Sequence, residues 1–247
     1  MKNYLLIFLS ICVFSNLNAQ LFGGQIKTSI NLATQYPVGS VFCVSGPTGI
    51  VEVTNPTTGK TWMDRNLGAS QVATSSTDAA AYGDLYQWGR RSDGHQCRTS
   101  PTTSTLSSSD QPAHGDFIIN SEVVPVNQFD WRLPSNDNLW QGVSGINNPC
   151  PTGFRLPSIT ELDNERTTWS SNDQIGAFNS ILKLPITGLR YRSGNLANAG
   201  SWGCYWSSSR LTTPHYATSL TIYSPPQVTG NANVPRADAQ SVRCIKN

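Results

Sequence analysis

Apolar and polar positions change rhythm several times along this chain. After Lys2, a nearly continuous apolar run from Tyr4 to Phe14 leads to small Ala19 before Gln20, the layout of a cleaved export signal over residues 1–19. The run is shorter than the roughly 20 apolar residues needed to span a bilayer, and no later segment is expected to do so. Residues 20–40 show no sustained period and read as an exposed N-terminal arm or an edge strand. The alternating "IVEV", the turn "NPTTGK" and "TWMDRNLG" then predict a β-hairpin over residues 50–68. Asp78 is expected to cap a short helix at its N-terminus.

The clearest helix start is "PSITELDNERTTW", where Ser158 and Glu161 have capping-box spacing and Ile159, Leu162 and Trp169 share one face. A second helix is predicted in "DQIGAFNSILKL", with Ile175, Phe178 and Leu182 on one face. Beyond it, "LKLPITGLRYR", "YWSSS", "YATSLTIY" and "SVRCIKN" return to strand patterns. Strands, two helices, then strands make an α+β arrangement, with the Ser- and Thr-rich residues 100–115 as a surface loop of one domain.

Composition narrows the function classes. There are 17 Lys and Arg against 15 Asp and Glu, a net charge of +2, with no basic stripe to follow a nucleic-acid backbone. Five cysteines follow the signal: Cys43, Cys97, Cys150, Cys204 and Cys244. In an oxidising compartment an odd count means two bridges beside one thiol, in any of fifteen arrangements, or fewer bridges and more thiols. No C-x-x-C pair is present to suggest a zinc knuckle or a redox motif.

Five segments in order, "VTNPTTGKTWMDRNLG", "YGDLYQWGRRSDGHQ", "NLWQGVSGINNPCPTGFRLPSITEL", "YWSSS" and "SVRCIKN", resemble the Fibrobacter succinogenes major paralogous domain family. The resemblance covers residues 43–247. It implies a secreted bacterial module with a C-type-lectin-like fold, placed here at residues 41–247, built of short mixed strands, two short helices and long ordered loops. It also implies a disulfide from the start of the helical region to the last strand, Cys150–Cys244. Cys43–Cys97 is then the second pair, and Cys204 remains unpaired.

A nucleophilic Cys204 needs a base, a cation or a helix N-terminus close by, and its neighbours Gly203, Tyr205 and Trp206 supply none. "FRLPSITELDNE" is similar to a segment of formylglycine-generating enzymes, which use two nearby cysteines, so a thiol-dependent oxidase is the remote alternative. His95, His114 and His215 lack ligand spacing and read as surface or loop residues; no metal site or cofactor is expected, while a structural calcium ion is left open. Asp64 and Arg65 read as polar packing partners of Trp62, Tyr86 and Trp88.

The best functional claim falls on residues 190–236, rich in Tyr, Trp, Arg, Asn and Ser, types suited to recognition. The candidate ligand-binding residues are Arg190, Tyr191, Arg192, Asn195, Trp202, Tyr205, Arg210, His215, Tyr216 and Tyr223. The expected function is a secreted or cell-surface binding module, adhesin-like and without catalysis, whose partner is an extracellular glycan or protein. A structural extracellular assembly module is the alternative.

Overall fold

A computed structural model of the chain describes residues 21–22, 25–26, 35–44, 46–120, 129–224 and 230–247. The export signal expected at residues 1–19 lies outside them. Two compact units are distinguished, Met1–Asn31 and Leu32–Asn247. In the first, β1 (Leu21–Phe22) pairs antiparallel with β2 (Gln25–Ile26).

Over its described residues the second unit is mixed α+β, mostly strands, with two helices and two disulfides. It begins earlier than the sequence pattern suggests. Tyr36, assigned above to an exposed arm, is buried, meets Phe42 edge to face at 5.4 Å and donates its hydroxyl to the Thr48 carbonyl at 2.8 Å. One aromatic with a hydroxyl partner is enough to dock an aperiodic segment.

The predicted hairpin forms as β3 (Glu52–Thr54) and β4 (Thr61–Met63), turning where Asn55 Oδ1 accepts the Thr57 amide at 2.8 Å. β15 (Ile245–Lys246) inserts between β4 and β8 (Phe154–Arg155), so this four-stranded antiparallel sheet joins segments from opposite ends of the unit. The larger sheet runs β13 (Gly230–Pro235), β12 (Tyr216–Tyr223), β11 (Trp202–Arg210), β9 (Thr187–Arg190), β14 (Ala239–Gln240) and β5 (Tyr86–Gln87), with β10 (Leu196–Ala199) also pairing with β9. A parallel pair, β6 (Thr102–Thr103) and β7 (Phe117–Ile118), stands apart. At Gly188 φ is +69° and a Cβ would sit 2.5 Å from the Ala197 carbonyl, so the β9–β10 approach requires glycine.

β13 falls in a stretch for which no strand is predicted above. "GNANVP" carries no alternating apolar signal, yet it pairs with β12 over six positions because backbone bonds to a ready edge do not need one. β11 is central in the other sense. Its residues alternate between two cores: Trp206 joins Trp88, Trp140 and the Cys150–Cys244 bridge, while Tyr205 joins Trp62, Leu162 and Ile186. Both faces are therefore covered from Gly203 to Ser207.

α1 (Ile159–Arg166) starts with the full capping box: Ser158 Oγ accepts the Glu161 amide at 3.2 Å, and a Glu161 carboxylate oxygen accepts the Ser158 amide at 2.8 Å. Such a cap is worth about 1 kcal/mol. The helix ends before Trp169, which nevertheless packs in the same cluster as Leu162. α2 (Gln174–Asn179) corrects the predicted face: Ile175 is exposed, and Gly176 and Ala177 point inward. The cause is close approach, since a Cβ on Gly176 would lie 1.8 Å from the Ser171 carbonyl. The helix expected at Asp78 is a single 3-10 turn, Ala79–Ala81, capped by the Asp78 carboxylate accepting the Ala80 amide. Among the described residues, no helix is long and apolar enough to cross a membrane.

Candidate functional site

The ten residues expected to form one ligand face are divided by the fold. Arg190 and Tyr205 are inside. Arg190 lies over the Phe117 ring at 4.2 Å and donates to Ser100 Oγ, the Ser100 carbonyl and the Gly194 carbonyl. Tyr205 donates its hydroxyl to the Pro185 carbonyl at 2.6 Å and accepts from Asn66. Their polar atoms are spent on the fold, so neither faces a ligand. Tyr191 is half-buried and its hydroxyl accepts from Asn198; Asn195 is exposed in the β9–β10 turn. Arg192 covers Phe129 at 4.5 Å and pairs with Asp238.

The remaining residues sit at opposite ends of one hairpin. Trp202 and Tyr223 are cross-strand partners meeting edge to face at 5.7 Å, at the start of β11 and the end of β12. Arg210, His215 and Tyr216 lie at the far end. Eight residues of strand at about 3.3 Å each separate the two groups by some 26 Å.

At the Arg210 end the sequence hides a cleft of about 400 Å³ between residues 135–138 and the β11–β12 turn at 210–215. The wall at 135–138 is shaped by an Asx turn, in which Asn136 Oδ1 accepts the Asn138 amide at 2.9 Å. Gln141 ties this wall to β11 by donating to the Asp137 and Ser208 carbonyls. On the opposite wall, the β11–β12 register shifts between Trp206 and Arg210, a bulge that re-aims the end of the strand. His215 has φ of +66°, a left-handed conformation uncommon for a non-glycine residue and worth reading for function.

Charge organises the floor. Asp137 accepts from two guanidiniums: Arg210 Nη1 at 2.9 Å on one carboxylate oxygen and Arg236 Nη2 at 2.6 Å on the other. Arg236 is fully buried, stacked over Trp88 at 4.4 Å, with Nη1 3.7 Å from Asp130 and, among the described residues, without a hydrogen-bond partner. Burial pushes the Asp130 carboxyl up to about 6, against hydrogen bonding from Ser135 and the charge of Arg236. Ser135 Oγ also lies 2.5 Å from His215 Nδ1. Burial, with the Arg236 charge adding to it, holds His215 below its ordinary value, while Asp137 opposes the shift.

The order Asp130, Ser135, His215 differs from a hydrolytic triad, in which the carboxylate orients the histidine and the histidine activates the serine. Here the serine is in the middle, held from both sides, which suits rigidity better than attack. Cys204 is equally unsuited to attack: it is a buried free thiol, pushed up to about 12 by burial and by Asp238. Disulfides join Cys43 to Cys97 and Cys150 to Cys244. Among the described residues, no three or more His, Cys, Asp or Glu side chains are grouped to hold a metal ion.

A larger open groove of about 550 Å³, beside Val38, Arg91 and His114, offers less. Its acid, Asp93, is occupied by Arg90 at 2.8 Å and by His95 Nδ1 at 2.6 Å. His95 Nε2 accepts the Gln87 amide at 3.0 Å, so the proton sits on Nδ1 and is donated to Asp93. This corrects the surface reading of His95, which is fully buried because both ring nitrogens find partners inside. Asp64 and Arg65 bind each other at 2.7 Å, half-buried.

Sequence reasoning missed Ser135, Asp137, Asp130 and Arg236. The one available signal was "PSNDN", a polar run beside "FDWR" whose Asn and Asp residues favour side-chain-stabilised turns. No family model matches this chain, and neither the curated proteins nor the solved structures contain a significant match.

Proposed function

We propose that this chain is a secreted or cell-surface binding module of C-type-lectin-like architecture, without catalysis, and that the cleft between residues 135–138 and 210–215 is its ligand site. Its partner is an extracellular glycan or protein. The observation that carries the reading is the Arg236–Asp137–Arg210 chain, which fixes an exposed guanidinium at the mouth of a cleft from a fully buried anchor. Binding sites gain affinity when surface groups are held in place beforehand, and a buried arginine under a surface carboxylate does that. Two disulfides fit an oxidising, extracellular setting.

The test is retention on an array of glycans and purified surface proteins, using the exported chain beside its Arg210→Ala and Trp202→Ala variants. The reading expects Arg210→Ala to abolish retention and Trp202→Ala to preserve it. The reverse pattern would move the site to the aromatic end of the hairpin.

A further inference from the structure

We infer that the cleft takes an uncharged polyhydroxylic ligand, a pyranose unit of a glycan, through direct hydrogen bonds and without a bridging metal ion. The inference rests on the reading that the cleft is the binding site, and it decides between ligand classes there.

Charge balance excludes the alternatives first. Around the cleft, Arg210 and Arg236 are matched by Asp137 and Asp130, and His215 is held below its ordinary value. An anionic group approaching Arg210 meets the Asp137 carboxylate 2.9 Å from Nη1, and a cationic group approaching Asp137 meets two guanidiniums. Either charged ligand is therefore set beside a charge of its own sign that the buried Arg236 helps hold in place. Like charges brought together at a binding surface disfavour such a partner.

A neutral polyol breaks nothing. Each Asp137 oxygen accepts one guanidinium bond and keeps a lone pair, while Arg210 keeps N–H donors beyond the one given to Asp137. A fixed acceptor therefore stands beside a fixed donor. Adjacent hydroxyls of a sugar ring fit that pair, one donating to Asp137 and its neighbour accepting from Arg210. Asn138 and Thr212 add uncharged polar groups to the lining, and Leu211 and Pro214 offer apolar surface for the ring's C–H face. The volume of about 400 Å³ lies in the lower part of the usual small-molecule range, roughly 300 to 1,000 Å³.

The experiment is titration calorimetry of the exported chain against a panel of neutral oligosaccharides and the same panel carrying sulfate or uronate groups. Each titration is run with calcium and with EDTA, and repeated with Arg210→Met. Melting temperature is measured alongside; Arg210 is exposed, so the variant is expected to melt with the wild type. The inference expects at least a tenfold preference for neutral members, no effect of EDTA, and a tenfold or greater loss in Arg210→Met.

Preference for the sulfated or uronate panel, lost in Arg210→Met, overturns the ligand class and leaves the cleft as the site. Loss of binding in EDTA overturns direct recognition. Sugar binding that Arg210→Met leaves intact overturns the cleft itself. Absence of binding to every saccharide overturns the inference; retention of a protein on the array that Arg210→Ala abolishes would then keep the module reading.

Discussion

Two buried networks in this unit use the same residue types and arrive at different ends. Arg90, Asp93 and His95 form a closed set: each carboxylate oxygen has a partner, both imidazole nitrogens are used, and Arg90 donates further to the Asp116 carbonyl. Asp93 is held down at about 2 because His95 and Arg90 outweigh its burial. Asp130, Arg236, Asp137 and His215 form an open set: among the described residues Arg236 Nη1 has no hydrogen-bond partner, Asp130 is raised to about 6, and Asp137 and Arg210 reach a cleft. A satisfied buried network spends its polarity on the fold. One left incomplete beside solvent keeps some for a ligand.

That contrast can be broken in order of expected effect. Asp93→Asn leaves the Arg90 charge buried without compensation and is expected to cost on the order of 3 kcal/mol by urea unfolding. A loss below about 1 kcal/mol would mean that the closed set contributes little to the fold.

Next in size is a pH effect of opposite sign in the two networks. An acid raised to about 6, such as Asp130, contributes stability that is whole below about 3.8 and is lost as pH rises through about 6. His95, lowered from 6.5 to about 4 by burial and Arg90, contributes stability that is whole above 6.5 and is lost as pH falls toward 4. Asp130→Asn is thus expected to gain on the order of 2 kcal/mol over the wild type at pH 8, and progressively less toward pH 4. Urea midpoints at pH 4, 6 and 8 check this; a difference that stays constant would detach Asp130 from the effect.

Trp202→Ala, at the aromatic end of the hairpin, is expected to cost about 1 kcal/mol through the lost edge-to-face pair with Tyr223. Thermal melting measures it, and ligand retention at the far cleft should not change. Arg210→Met should be smallest in stability, within about 0.5 kcal/mol, because its ion pair is solvent-exposed. A larger loss in a urea titration would place Arg210 among the groups that hold the fold.

How much of this was written in the chain depends on range. The Ser158–Glu161 cap and the turn at Asn55 are contacts within a few residues, and their spacing announces them. Cys150 and Cys244 are 94 residues apart, and their pairing came from resemblance rather than spacing. The cleft was half legible: Arg210 and His215 stand in a loop-like stretch, but Asp137 reaches Arg236 across 99 positions and Ser135 reaches His215 across 80. Arg190 and Tyr205 were misread for one reason. Long polar-tipped side chains look like surface residues until an internal carbonyl is found to receive them.

The position of β15 has a consequence for how the molecule is made. It is synthesised after β4 and β8, yet it lies between them, and Lys246 reaches Glu52 across 194 positions to form an ion pair. The β3–β4 hairpin can form before β15 exists, but β8 is held in this sheet through β15 and joins only after β15 has been made. Completing the sheet is therefore a late, long-range step in folding, and the Cys150–Cys244 bridge lies beside the strand that completes it.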